Sequence, residues 1–226
     1  MTKMKIITLS LLVFTHLVWA VEVRAAELSL KNLPTAGKSL SDFLPKGWTV
    51  GDQARGDLNG DGVSDIAAIL VQGNPAGNQS EAEDDFDRAL IVLLGHDKGK
   101  FTLAGKNGGL LLCKGCGGVK EGVGISIKKG VLVVQQWSGS REFTDETWRF
   151  RYDPKTRRFV IIGRDLENGD GMLGTGTIES FNYLTGKKTT QKYRYDKTGE
   201  HKITTSAKKE NGPRKTPFIE DVRPGY

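Results

Sequence analysis

The sequence predicts an all-β protein, an antiparallel meander of hairpins. Three observations predict it. Apolar and polar residues alternate in several runs, as side chains do along a strand with one buried face. Turn-forming residues recur about every ten positions. Scarcely any stretch keeps a helical period.

Taken in chain order, "KSLSDFLPKGW" offers Ser41 as a cap and only a turn or two of helix before Pro45. "DIAAILVQ" (65 to 72) and "RALIVLLG" (88 to 95) are continuous apolar runs of strand length, expected to be buried on both faces. The segment between them, 73–87, is long, polar and acidic, which predicts an exposed, mobile loop. In "GISIKKGVLVVQQW" two β-branched runs meet at Lys128, Lys129 and Gly130, where glycine can supply the positive φ of a hairpin. "DETWRFRYDPKTRRFVIIG" alternates Trp148, Phe150 and Tyr152 with Arg149 and Arg151, then turns at Asp153 and Pro154. One face of that strand is aromatic and the other basic. "SFNYLTGKKTTQKYRYDKTGEHKITT" repeats the pattern as further hairpins, too unevenly spaced for a solenoid. From Ala207 the composition favours a flexible, basic tail, whose end Phe218, Ile219 and Val222 could dock.

The N-terminus has the layout of a secretory signal peptide: Lys3 and Lys5, an apolar run from Ile6 to about Ala20, then small residues. The run is short for a membrane helix, which needs roughly 20 apolar residues, and Glu22 and Arg24 follow it closely. Val23 and Ala25 fit a cut after Ala25, preferred here to one after Ala20, which Val18 and Ala20 would also fit. The expected organisation is a signal peptide over 1–25, a single β domain over 26–206 with the repeat at about 47–105, and a tail over 207–226. The protein is therefore expected to be exported, to the periplasm or beyond. Its formal charge of +6 says little by itself. Its distribution says more, because ten Lys and Arg residues fall between Lys187 and Lys215 while Glu81, Glu83, Asp84, Asp85 and Asp87 crowd one loop. The basic end suits peripheral contact with an anionic surface.

"GDLNGDGVSDIAAIL", residues 56 to 70, is the sharpest chemical signal. A hard divalent cation needs oxygen ligands that one tight loop can wrap, and calcium accepts about six to eight of them. Asp57, Asn59, Asp61 and Asp65 stand at loop positions one, three, five and nine, with the Val63 carbonyl at seven and Gly62 allowing the reversal at six. Ala68 occupies the twelfth position, where an EF-hand carries glutamate, so this loop is flanked by strands instead of helices. The stretch "ARGDLNGDGVSDIAAIL", with "RALIVLLGHDKGKFTLA" after it, resembles the FG-GAP or integrin-α type calcium repeat. The resemblance implies calcium on Asp57, Asn59, Asp61, the Val63 carbonyl and Asp65, agreeing with the spacing. It covers a single copy, which implies one propeller-blade-like calcium repeat and not a complete multi-repeat propeller. "LENGDGM" (166 to 172) comes nearest to a second, but Leu166 and Gly174 stand where the first and last aspartates belong. The whole is similar to small exported bacterial proteins that carry one such repeat and a CxxCGG segment, which implies no particular reaction.

Cys113 and Cys116 are the only cysteines, set among glycines in "LLLCKGCGGV". Export favours a local disulfide; a redox dithiol and a metal half-site are the alternatives. No G-x-S-x-G occurs, and His96 and His201 sit in turns. The basic and aromatic alternation of "WRFRY" is explained by two strand faces without nucleic acid. The function expected is a calcium-stabilised binding or surface-associated module with an envelope or extracellular ligand. The alternative is a calcium-supported hydrolase or lyase acting on an envelope or extracellular polymer.

Overall fold

The computed structural model describes residues 25–73, 86–199, 201–212 and 214–223. The expected signal segment up to residue 24 and most of the acidic loop, 74–85, lie outside the described residues. Two antiparallel sheets of meandering hairpins make up the fold, neither closed into a barrel. The first contains β1 (Ala36–Gly37), β2 (Trp48–Gly56), β3 (Asp65–Gln72), β4 (Arg88–His96) and β5 (Lys100–Asn107), in the order β1-β5-β4-β3-β2. Its four long strands follow one another in chain order, as in a propeller blade. The second sheet runs from β6 (Lys120–Lys128) through β7 (Val131–Gly139), β8 (Glu142–Asp153), β9 (Arg158–Asp170), β10 (Thr175–Asn182) and β11 (Lys187–Tyr195) to β12 (Lys202–Asn211), each beside the next.

Local turn chemistry sets these hairpins. Lys129 and Gly130, at φ 50° and 73°, form the left-handed pair a two-residue hairpin connection requires. Gly186 and Gly199 take positive φ in the next two turns downstream of β10 and β11. Along β8, Trp148 and Phe150 are fully buried while Arg151 is exposed, so the expected aromatic face is the inner one.

Strands β3 and β4 are buried on both faces, as their unbroken apolar runs require. One face, including Ala67, Ile69, Leu90 and Val92, packs on Leu132, Val134, Trp148, Phe150 and Phe159 of the second sheet. The other, including Ile66, Leu70, Ile91 and Leu93, is covered by Ala26 and Leu30 of the short helix α1 (Ala25–Leu30), with Phe43 and Trp48. Removing each such Leu, Ile or Val side chain from water contributes about 1.5–3 kcal/mol. The N-terminal segment is thus a lid on the first sheet. Among the described residues no helix is long and apolar enough to cross a membrane.

Two expectations need correcting. The 3₁₀ turn Leu40–Phe43 starts from Ser39 and not Ser41, because the Asp42 carboxylate reaches back to the N–H of Ser39 at 3.1 Å and of Lys38 at 2.7 Å. The boundary at 206 falls inside β12, which continues to Asn211. Beyond it the chain returns to the core: Ile219 and Val222 are fully buried, and Phe218 bridges to Val160. Local composition there is polar, but two apolar residues, Ile219 and Val222, pack into the core between the sheets, and that outweighs it.

Candidate metal centre

The 57–64 loop is the connection of the β2–β3 hairpin, closed where Gly56 pairs with Asp65. Gly60 and Gly62 both stand at φ 81°, which lets the chain turn twice within a few residues. Asp57 sits at the hub. One of its oxygens accepts the Gly60 N–H at 2.6 Å, the other the Gly62 N–H at 2.9 Å. The Asn59 amide donates to Asp61 at 2.8 Å, its carbonyl accepts the Asp61 N–H at 3.1 Å, and Asp61 accepts the Val63 N–H at 2.8 Å. Asp65, first residue of β3, forms the base. It is fully buried, and its two oxygens accept the N–H groups of Leu58 and Gly95, each at 2.7 Å.

Two features of this anchorage had no signal in the sequence. Leu58, a loop residue, is buried in the core between the sheets. Gly95, near the end of β4, brings that strand hard against the loop: a Cβ there would collide with the Ser64 carbonyl oxygen and lie 3.1 Å from a Val63 methyl. Only the fold reveals that a glycine thirty positions downstream completes the site.

The electrostatics divide the carboxylates. Burial pushes the Asp65 carboxyl up, against the pull of its two N–H donors, and the charges of Asp61 and Asp57 push the same way. Asp61 is held low by the Val63 N–H and the Asn59 side chain. Among the described residues no Lys, Arg or His forms an ion pair with Asp57, Asp61 or Asp65; the ion pairs lie elsewhere. The side chains as placed turn to loop amides, and among the described residues no three His, Cys, Asp or Glu side chains gather on a common centre. The donor chemistry nonetheless fits calcium. Each carboxylate has about four lone-pair sites, so the N–H groups that hold the loop leave acceptor capacity on Asp57, Asp61 and Asp65.

The "LENGDGM" stretch is the end of β9 and its hairpin turn. Asp170 pairs with Arg141 at 2.9 Å and accepts the N–H groups of Met172 and Leu173 at 2.8 and 2.9 Å. Its carboxylate is committed to that turn.

Cys113 and Cys116 are joined as a disulfide, their Cα atoms 5.3 Å apart, within the usual range. Around them lies a clasp. Arg88 donates to the carbonyls of Leu112 and Cys113 at 3.1 and 3.2 Å and pairs with Glu121 at 3.1 Å. Glu121 also accepts the N–H groups of Gly115 and Gly117 at 3.0 and 2.8 Å. Burial would raise the Glu121 carboxyl, but these two N–H groups and Arg88 outweigh it and hold it low. His96 bonds Thr102 at 2.9 Å and His201 lies 3.3 Å from Asp196, each beside a turn.

No protein-family model matches the chain, and no curated protein matches it. The likeness to a calcium repeat rests on the 57–65 loop and its strands.

Proposed function

We propose that the chain is an exported β module that binds an envelope or extracellular component and uses calcium in the 57–65 loop for stability. One observation carries the calcium reading: Asp65 is a fully buried carboxylate made harder to ionise by that burial and, beyond it, by the charges of Asp61 and Asp57, and among the described residues no Lys, Arg or His forms an ion pair with any of the three. A divalent ion held by Asp57, Asn59, Asp61, the Val63 carbonyl and Asp65 would supply the missing positive charge. The role is structural because Leu58 and Gly95 tie the loop to the core, so binding energy becomes folding stability.

Export is supported by the signal-like N-terminus and by the cysteine pairing, since disulfides persist in oxidising compartments. Ala26 adds support: it is fully buried with its N–H 3.0 Å from an Asp87 oxygen. A cut after Ala25 would leave a terminal ammonium facing that carboxylate.

The test is thermal unfolding of the processed chain with calcium and with a chelator, beside Asp61→Ala. Asp61 is exposed, so its loss leaves the core intact. Calcium at about a hundred times its Kd contributes about 2.7 kcal/mol, a rise of roughly 5–10 °C for a chain of this size. Asp61→Ala should lose that rise. Equal midpoints throughout, with no heat of binding on titration, would dismiss the calcium reading. The module reading requires capture of an envelope component above that of heat-denatured chain.

A further inference from the structure

We infer that the groove on the outer face of the second sheet, over β6 and β7, binds a saccharide, with Trp137 as its stacking platform. The inference rests on the module reading and names its ligand class. Trp137 is 41% exposed, whereas Trp48 and Trp148 are buried. Its cross-strand partner is Gly122. A Cβ on Gly122 would meet three indole atoms, Nε1, Cε2 and Cζ2, all at once. These are consecutive atoms of one edge of the indole, so that edge lies over the bare backbone at Gly122, in the space a side chain there would fill, and the ring borders the groove while staying partly open to solvent. Gly124, next on the same face, has nothing within 4 Å of where its Cβ would be. The two glycines open a groove of about 400 Å³.

Planar polar groups surround the ring. Gln135 is exposed and donates to both oxygens of Asp145 at 3.1 Å, while Asp52 also lines the groove, accepting the Ile125 N–H at 3.3 Å. An apolar plate ringed by amide and carboxylate groups matches a pyranose, which offers C–H bonds on one face and hydroxyls around its edge. A peptide strand fits less well. The free edge of β6 is already approached by β2, where Asp52 occupies a backbone N–H and Gly56 packs on Ile127. Asp52 and Lys128 both line the groove and offset each other, which leaves no net charge to draw an acidic polymer and points to a neutral sugar.

The test uses tryptophan emission, in which Trp137 is the solvent-facing indole among the described residues. The processed chain would be titrated with soluble oligomers of β-linked glucose and of N-acetylglucosamine, and with oligogalacturonate as the acidic comparison. Saturable change with a neutral oligomer is expected, and titration calorimetry, which does not depend on the indole, should show binding at least tenfold weaker in Trp137→Ala and in Gly124→Val. A Cβ at Gly124 meets no atom within 4 Å, so the valine enters the groove from an open position and should keep the fold even if loss of the indole uncovers Gly122 and weakens it. No response to either neutral oligomer at about 10 mM, a weak-binding ceiling, would overturn the inference. So would undiminished binding in Gly124→Val. Capture of an extract component that Gly124→Val leaves unchanged would overturn the saccharide site while sparing the module reading; loss of both oligomer binding and capture in the unmodified chain would remove both.

Discussion

At the scale of single residues, charges are held mainly by backbone N–H groups. Asp65 shows the consequence. Both its oxygens are acceptors for buried donors, so Asp65→Asn keeps one acceptor and turns an NH₂ toward the other N–H. Leaving one buried donor unsatisfied should cost about 1–3 kcal/mol, seen as a lower denaturation midpoint even in chelator, where a merely metal-binding residue would have no effect. Glu121 makes a pH-dependent case. Its carboxyl is held below the ordinary value, so the folded state releases that proton more readily than the unfolded chain. The stability it contributes is present above the unfolded value and is lost as pH falls through the lowered one. Glu121→Gln should cost about 1–3 kcal/mol at neutral pH and flatten the fall in stability below about pH 4.5. Parallel acid profiles for the two chains would show that the Arg88 clasp does not hold the charged form.

At the scale of elements, glycines on the outer face of the second sheet sort into two kinds. A Cβ at Gly176 would run into the Tyr193 ring, and one at Gly169 into Phe143, so aromatic side chains lie over both. Gly124 is open. Gly176→Ala should therefore cost about 1–3 kcal/mol by overpacking, whereas Gly124→Ala should be neutral or stabilise by about 0.4–1 kcal/mol by restricting the unfolded chain. Urea midpoints of the two variants check the contrast; equal effects would mean the rings move aside freely. The same elements show what could be read beforehand. The hairpins at Lys129–Gly130 and around Asp153 were legible because a turn and its flanking alternation lie within one short window. The five candidate ligands were legible for the same reason. Gly95 was not, since its contact with the loop exists only once β4 lies beside β3, and neither was the aromatic cover on Gly169, which needs β8 and β9 in register. Ser41 failed as a cap because Asp42 bonds back to Ser39, a choice between neighbouring serines that composition does not make.

At the scale of the whole molecule, both ends of the described chain close the core. The N-terminal segment covers the outer face of the first sheet, and the C-terminal segment plugs the space between the sheets, held by Asn107. That side chain is 3% exposed and uses all its capacity: its amide donates to the carbonyls of Ile219 and Val222 at 2.5 and 2.8 Å, and its oxygen accepts the N–H groups of Gly109 and Leu110 at 2.8 and 2.7 Å. Arg158 adds an ion pair to Glu220 at 2.9 Å and stacks on Phe218, its guanidinium 3.5 Å from the ring centre. A flexible tail could be removed without effect. Here, deletion from Lys215 onward would expose Phe159 and Gly105, which pack near Ile219, and strand both amide hydrogens of Asn107. Losing the burial of Ile219 and Val222 alone costs about 3–6 kcal/mol, a large share of the roughly 5–15 kcal/mol that holds a typical domain together. The truncated chain should unfold at markedly lower denaturant, and Ile219→Ala in the full-length chain should reproduce about 2–5 kcal/mol of that loss. An unchanged midpoint in the truncated chain would show that the segment merely rests on the sheets. A loss in the truncation that Ile219→Ala fails to share would move the anchor to Asn107 and Arg158, whose polar contacts would then hold the plug without its apolar side chains.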